Sequence, residues 1–301
     1  MELKRTFRLR WMGLLAGALL LAGCARSPGQ RQARYLESGI KYFEKKDYSR
    51  ALIQFNNALR INRKDAEPHY RLALTYLELG DPGRASQHLG EATRLNPGHA
   101  EAQLKLAQLL LLSRDKRLLE RARQSAEAAL KSAKQEPEAL DTLALAKLEL
   151  GEPDEAEQHL RQALSKFPAH LNSSVMLMML QLRRKDLAGA ESTLTRAVAQ
   201  APKSPEPLVA LARLYTALRR LPDAEAQLQR AIQLDPRHGR ALLDLAFLRL
   251  RQGKAAEAEQ LYRRIAQLPG REYKPVHAMY LVQAGRIQDA IPEFEDLAKK
   301  D

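Results

Sequence analysis

Cysteine occurs once in these 301 residues, at Cys24. No intramolecular disulfide can form, and no thiolate cluster can hold a metal. Aromatic residues make up 5% of the chain, with a single tryptophan, so the stacking platforms that read single-stranded nucleic acid are missing. No run alternates apolar and polar residues over a strand's length, which excludes an expected sheet. The phosphate-cradling G-x-x-x-x-G-K-[ST], the dinucleotide G-x-G-x-x-G and the nucleophile elbow G-x-S-x-G are all absent. Seven histidines (His69, His88, His99, His159, His170, His238, His277) are scattered, and no two share a helix at zinc-ligand spacing. Acidic pairs are common, but in a chain with 28% charged residues they read as solvated helix faces. These absences point to a non-enzyme that needs no cofactor and no metal.

What the chain does have is alanine, leucine, glutamate, arginine and glutamine, the residues that favour helix. The 34 residues Pro205–His238 show how they are ordered: an amphipathic helix, a turn at Arg219-Arg220, a second amphipathic helix, then Pro236. Ala212, Tyr215, Ala224, Leu228, Ala231 and Pro236 stand at positions 8, 11, 20, 24, 27 and 32 of that stretch. Two antiparallel helices approach closely only where they cross on small side chains, with large ones filling the space beside the crossing. The pattern resembles the tetratricopeptide (TPR) repeat. Its alanine recurs as Ala51, Ala85, Ala122, Ala156, Ala190, Ala224, Ala258 and Ala290, at intervals of 34, 37, 34, 34, 34, 34 and 32. The resemblance implies an all-α TPR superhelical solenoid of about eight helix-turn-helix repeats. They run approximately 32–65, 66–99, 100–136, 137–170, 171–204, 205–238, 239–270 and 271–301.

Three places depart from the period. Repeat 3 carries three extra residues between Ser113 and Arg121, enough for one more helical turn. Repeat 5 places Met178 at the eighth position inside Val175-Met-Leu-Met-Met-Leu180, which reads as core or as an adaptable binding stripe. The last repeat has no polar capping helix after it, leaving its charged tail or a partner to cover that end.

Residues 1–23 stand apart. Lys4, Arg5, Arg8 and Arg10 precede an apolar run from Trp11 to Gly23 that is short for a bilayer span. The run ends in Leu21-Ala22-Gly23-Cys24, which resembles the bacterial lipobox. That resemblance implies a lipoprotein signal peptide (1–23), lipidation of Cys24, and a polar tether (24–31) leading into the solenoid (32–301). A plain signal peptide or an uncleaved anchor is the alternative. Ala25, where an aspartate would resemble an inner-membrane retention signal, favours an outer membrane facing the periplasm if the cell has two membranes. A lipidated sulfur can be neither nucleophile nor metal ligand, and acyl chains contribute roughly 0.8 kcal/mol per buried CH₂ to anchoring.

Two surfaces remain as candidate sites. TPR proteins line a concave face with the first helix of each repeat, mainly through its second, fifth, ninth and twelfth positions. Here the fifth and ninth include Leu36, Ile40, Tyr70, Leu74, Leu104, Leu145, Met179, Val209, Arg213, Leu243 and Phe247. The set is mostly apolar and lacks the Lys/Asn pattern of a carboxylate clamp, so it suits an amphipathic segment of another protein, unless neighbouring repeats bury it. The second surface gathers the basic intra-repeat turns, Lys45-Lys46, then Arg114, Lys116 and Arg117, then Arg183-Arg184-Lys185, Arg219-Arg220, Arg251 and Lys254, with the turns of repeats 2 and 4 breaking the run. They complement helix C-termini, or else form a ridge for lipid headgroups or an acidic polysaccharide. Beyond residue 23 the chain holds 45 basic and 35 acidic residues. The expected function is a membrane-tethered, non-enzymatic scaffold for envelope proteins, in secretion, exopolysaccharide or pilus assembly. The alternative is a binder of an anionic polysaccharide or peptidoglycan along the ridge. Nucleic acid is not an expected partner.

Overall fold

The computed structural model describes residues 27–131 and 136–300. Cys24 and the signal segment lie outside them. Sixteen α-helices and no strand occur among the described residues. They follow as α1 (Pro28–Glu44), α2 (Tyr48–Ile61), α3 (Ala66–Glu78), α4 (Pro82–Leu95), α5 (Ala100–Leu110), α6 (Lys116–Leu130) and α7 (Glu136–Glu149) in a first compact unit ending at Glu152. The second unit holds α8 (Pro153–Lys166), α9 (Leu171–Arg183), α10 (Leu187–Gln200), α11 (Pro205–Ala217), α12 (Leu221–Leu234), α13 (Gly239–Arg251), α14 (Ala255–Ala266), α15 (Val276–Gln283) and α16 (Ile287–Lys300). In order they follow the eight repeats of the sequence period, with α7 closing the first unit and α8 opening the second.

The alanine rule holds in the packing. All eight alanines at the twentieth position are buried, as are Ala58, Ala92, Ala129, Ala163, Ala197 and Ala231 at the twenty-seventh. In the first pair Gly39 takes the place of alanine, and the Phe55 ring fills the space. A Cβ there would lie 2.6 Å from Cδ1 of the fully buried Phe55. Between repeats the seal is leucine at the seventh position: Leu72, Leu106, Leu143, Leu177, Leu211 and Leu245 are all buried. Each such side chain contributes about 1.5–3 kcal/mol by leaving water.

Seven hairpin turns within the pairs share one backbone solution, a left-handed residue after the first helix. Glycine supplies it at Gly80, Gly151, Gly253 and Gly285, with φ between 74° and 85°. Lys46, Lys185 and Arg219 adopt it at φ 60–61°, without glycine's freedom. The three extra residues of repeat 3 lengthen the start of its second helix: α6 begins six residues before Ala122, where α4 begins three before Ala85.

Two boundaries differ from the sequence reading. Helix α1 starts at Pro28, so residues 28–31, expected in the tether, form its first turn. Ser27 and Gln30 make a reciprocal capping box there, and proline fits the first helical position. In the last repeat the first helix begins at Val276 instead of 271. Gly270 at φ 131° and a 3₁₀ turn over Arg271–Tyr273 precede it, and the Tyr273 ring lies against Gly239. Met178 is half-buried and packs on the core.

Candidate functional site

The fifth and ninth positions of the first helices part company. The fifth faces inward. Leu104 is 3% exposed and shares a cluster with Ala129 and with Ala139 of the next repeat. Val209 is 5% exposed and lies in a cluster that also holds Ala241 and Leu245 of the next repeat. Leu36, Tyr70 and Leu243 are half-buried, and Leu36 and Leu243 also pack on core residues. Leu104 and Val209 therefore belong to the core and do not line an open face, because the following first helix covers them.

The ninth position faces outward, increasingly so in the second unit. In the first unit Ile40 and Leu74 are half-buried, and Leu145 on α7 is 38% exposed. In the second unit Met179 on α9 is 51% exposed, Phe247 on α13 54%, and Met279 on α15, which shares the register, 53%. Arg213 stands between Met179 and Phe247 in the series and is not free, since its Nε lies 2.6 Å from Asp244 Oδ2. The guanidinium of Arg251 sits 6.0 Å from the centre of the Phe247 ring. The second unit thus presents polarisable apolar side chains, one neutralised ion pair and one cation on an aromatic face. That chemistry suits an apolar segment with an occasional acidic residue.

The basic turns divide into two groups, and the division follows a signal that the sequence reading missed. Glu157, Glu191, Glu225 and Glu259 stand 34 residues apart on the second helices. Each accepts from an arginine of the following repeat: Arg184 at 2.6 Å, Arg220 at 2.7 Å, Arg249 at 2.6 Å and Arg286 at 2.7 Å. Tyr215 Oη adds a second donor to Glu191 at 2.8 Å, and Arg220 lies over the Tyr215 ring. These donors hold Glu191 below the usual carboxylate range, Tyr215 first and Arg220 next. Glu225 and Glu259 are also lowered: burial, the largest single influence, raises each, and it is outweighed by Arg249, Gln252 and Lys254 together at Glu225 and by Arg286 and Arg263 together at Glu259. Arg184 and Arg220 therefore tie repeats together. Among the described residues Lys45, Lys46, Arg114, Lys116, Arg183, Lys185, Arg219 and Arg251 keep no ion-pair partner and are exposed, Arg183, Lys185 and Arg219 standing beside the tied arginines.

The recurring histidines prove to be structural. His99 and His238 cap α5 and α13, each Nδ1 accepting from the backbone N–H three residues on. His99 Nε2 meets Glu67 at 3.2 Å, which raises the imidazole above its ordinary range. His170 contacts Ser173 instead. The fold does bring together one pair that spacing did not suggest: His69 on α3 and His88 on α4, with Nδ1 atoms 3.0 Å apart. No group of three or more His, Cys, Asp or Glu side chains that could hold a metal occurs among the described residues. No described helix is long and apolar enough to cross a membrane.

Comparison with known proteins places this geometry. A family model described as "Tetratricopeptide repeat" matches residues 42–109, 147–214 and 181–232, and a second model with that description matches 209–272. Among solved structures, the chain resembles a tetratricopeptide repeat protein from Parabacteroides merdae with a TM-score of 0.60 at 15% identity, covering 82% of this chain and 98% of that one. It resembles pilF of Pseudomonas aeruginosa with a TM-score of 0.55 at 16% identity, over 70% and 95% of the two chains. A MamA crystal structure matches at 0.51 and 20% identity, over 58% and 94%. These likenesses show the fold. No curated protein matches by sequence.

Proposed function

The chain belongs to the tetratricopeptide-repeat family, and on that premise we propose that it is a non-enzymatic scaffold, held to a bacterial envelope membrane through Cys24, that gathers partner proteins on its first helices. Proteins of this family mediate protein–protein interactions. One observation carries the reading: Met179, Phe247 and Met279 stay exposed at one register position, while the fifth-position residues of the same repeats, Val175, Leu243 and Pro275, are half-buried. Apolar side chains left open at a fixed period mark a contact surface. An amphipathic helix or an extended apolar segment is the ligand that fits. The tether rests on Leu21-Ala22-Gly23-Cys24, and the setting on the machinery such lipoproteins serve, in secretion, pilus or exopolysaccharide assembly.

The test is site-specific photocrosslinking in cells, with the probe at Met179, at Phe247, or at the exposed Lys203 as control. Adducts of defined mass are expected from the first two positions only. Phe247→Glu should abolish the Met179 adduct, and Cys24→Ala should move the protein out of the membrane fraction. Equal adducts at Lys203, or an adduct indifferent to Phe247→Glu, would remove the groove from consideration. The second reading, a polyanion on the ridge, is supported by Arg183, Lys185 and Arg219 being unpaired. Its capture should weaken steeply with salt, whereas apolar groove binding should not.

A further inference from the structure

Cavities open where the second helix of one repeat meets the first helix of the next, and the fourth position of that first helix lines them. At the fourth position of the first helix, Leu208 and Leu242 are 3% and 0% exposed and plug the junction. His69, Gln103 and Ser174 occupy that position in other repeats, and each lines a cavity, of about 550, 880 and 350 Å³ respectively. The cavity at His69 has a mixed lining. Leu52, Ile53 and Leu59 of α2 give it apolar surface, with Ile53 57% exposed. Asn56, Asn57, Arg60, Arg63 and His69 give it polar and cationic groups, with no carboxylate among them. Among the described residues neither Arg60 nor Arg63 has an ion-pair partner. Of the two acids between Arg63 and His69 in sequence, Asp65 is engaged by the amide of Gln32 and the backbone N–H of Glu67, and the Glu67 carboxylate is engaged by Arg71 and His99.

Behind His69 stands His88, the two Nδ1 atoms sharing a hydrogen bond of 3.0 Å in which one donates and the other accepts. The Tyr76 ring stacks on His88, with centroids 5.5 Å apart, and Arg84 lies over that tyrosine. The other charges acting on the pair are Glu91 and Arg94 of α4 and Asp65 of the α2–α3 turn, with Arg60 and Arg63 beside His69 in the cavity wall. Burial is the leading influence and holds both imidazoles below the ordinary histidine range; the charge of His69 lowers His88 further. The pair is therefore neutral at pH 7.

We propose that this cavity binds an oxyanion carried on a short aliphatic chain, the head on Arg60, Arg63 and His69 and the chain along Leu52, Ile53 and Leu59. Binding takes up a proton on the His69–His88 pair. A bound anion favours the charged imidazole that burial otherwise disfavours, so affinity rises as the pH falls. The site is separate from the first-helix face and does not depend on it.

Titration calorimetry of the full chain with 1-hexanesulfonate, which stays anionic throughout, tests this. Arg60→Ala and Arg63→Ala, both at exposed side chains, should each weaken binding about fivefold without moving the thermal transition. Inorganic sulfate should bind about tenfold more weakly than hexanesulfonate, for want of the chain. Affinity near pH 5.5 should exceed that near pH 7.5 by about three- to tenfold, and His69→Gln should flatten this dependence. No heat at millimolar ligand, or wild-type affinity in both arginine variants, overturns the site. A pH dependence that survives His69→Gln overturns the proton linkage.

Discussion

Replacing Gly39 with alanine tests the packing rule in the first helix pair. The new Cβ would sit 2.6 Å from Cδ1 of Phe55, a ring with no exposed surface and no direction in which to yield. Overpacking of this kind costs about 1–3 kcal/mol. Alanine in a helix interior returns about 1 kcal/mol relative to glycine. The expected net loss is therefore about 0–2 kcal/mol, confined to the first repeat. Other repeats place alanine at this position with leucine at the twenty-fourth, as in Ala73 with Leu89 and Ala212 with Leu228. Gly39→Ala combined with Phe55→Leu should thus recover at least about 1 kcal/mol of the sum of the single losses. Because repeat arrays open piecewise, the assay is native-state hydrogen exchange on the amides of α1 and α2, with those of α4 as internal reference. A strictly additive double variant would refute the claim that the pair at positions 8 and 24 sets the helix approach.

Three further outcomes follow from the hairpins, the glutamate ladder and the capping histidines. Arg219→Gly, which relieves a left-handed side chain at φ 60°, should stabilise the second unit by up to about 1 kcal/mol in thermal melts. Glu225→Gln leaves Arg249, whose side chain is 11% exposed, without its closest carboxylate and should cost about 1–3 kcal/mol, measured by urea denaturation. His99 is raised by Glu67, so its contribution is complete below the unfolded histidine value near 6.5 and fades as the pH climbs through the higher folded value. His99→Gln should accordingly lose more stability at about pH 6 than at about pH 9, and an equal loss at both would exclude the ion pair as the cause.

The helix pairs were legible because alanine at the twentieth position is a packing requirement, and a packing requirement repeats wherever the contact does. The side of each first helix that stays open was less legible. Leu104 and Phe247 are both large apolar residues in first helices, and only the cover laid down by the next repeat separates a core leucine from an exposed phenylalanine. The glutamate ladder was within reach, since Glu157, Glu191, Glu225 and Glu259 keep the 34-residue interval. Its arginine partners hid it by coming from different points of the following hairpin, on α11–α12 as Arg220 and on α13 as Arg249. The His69–His88 contact was out of reach, because 19 intervening residues say nothing about two rings meeting across a helix pair.

The plug at the fourth position has an evolutionary consequence. A junction closed by leucine and one hollowed by histidine, glutamine or serine differ at a single codon, while the seventh-position leucine goes on holding the neighbours together. New small-molecule specificity can therefore arise one junction at a time, with the rest of the architecture left untouched.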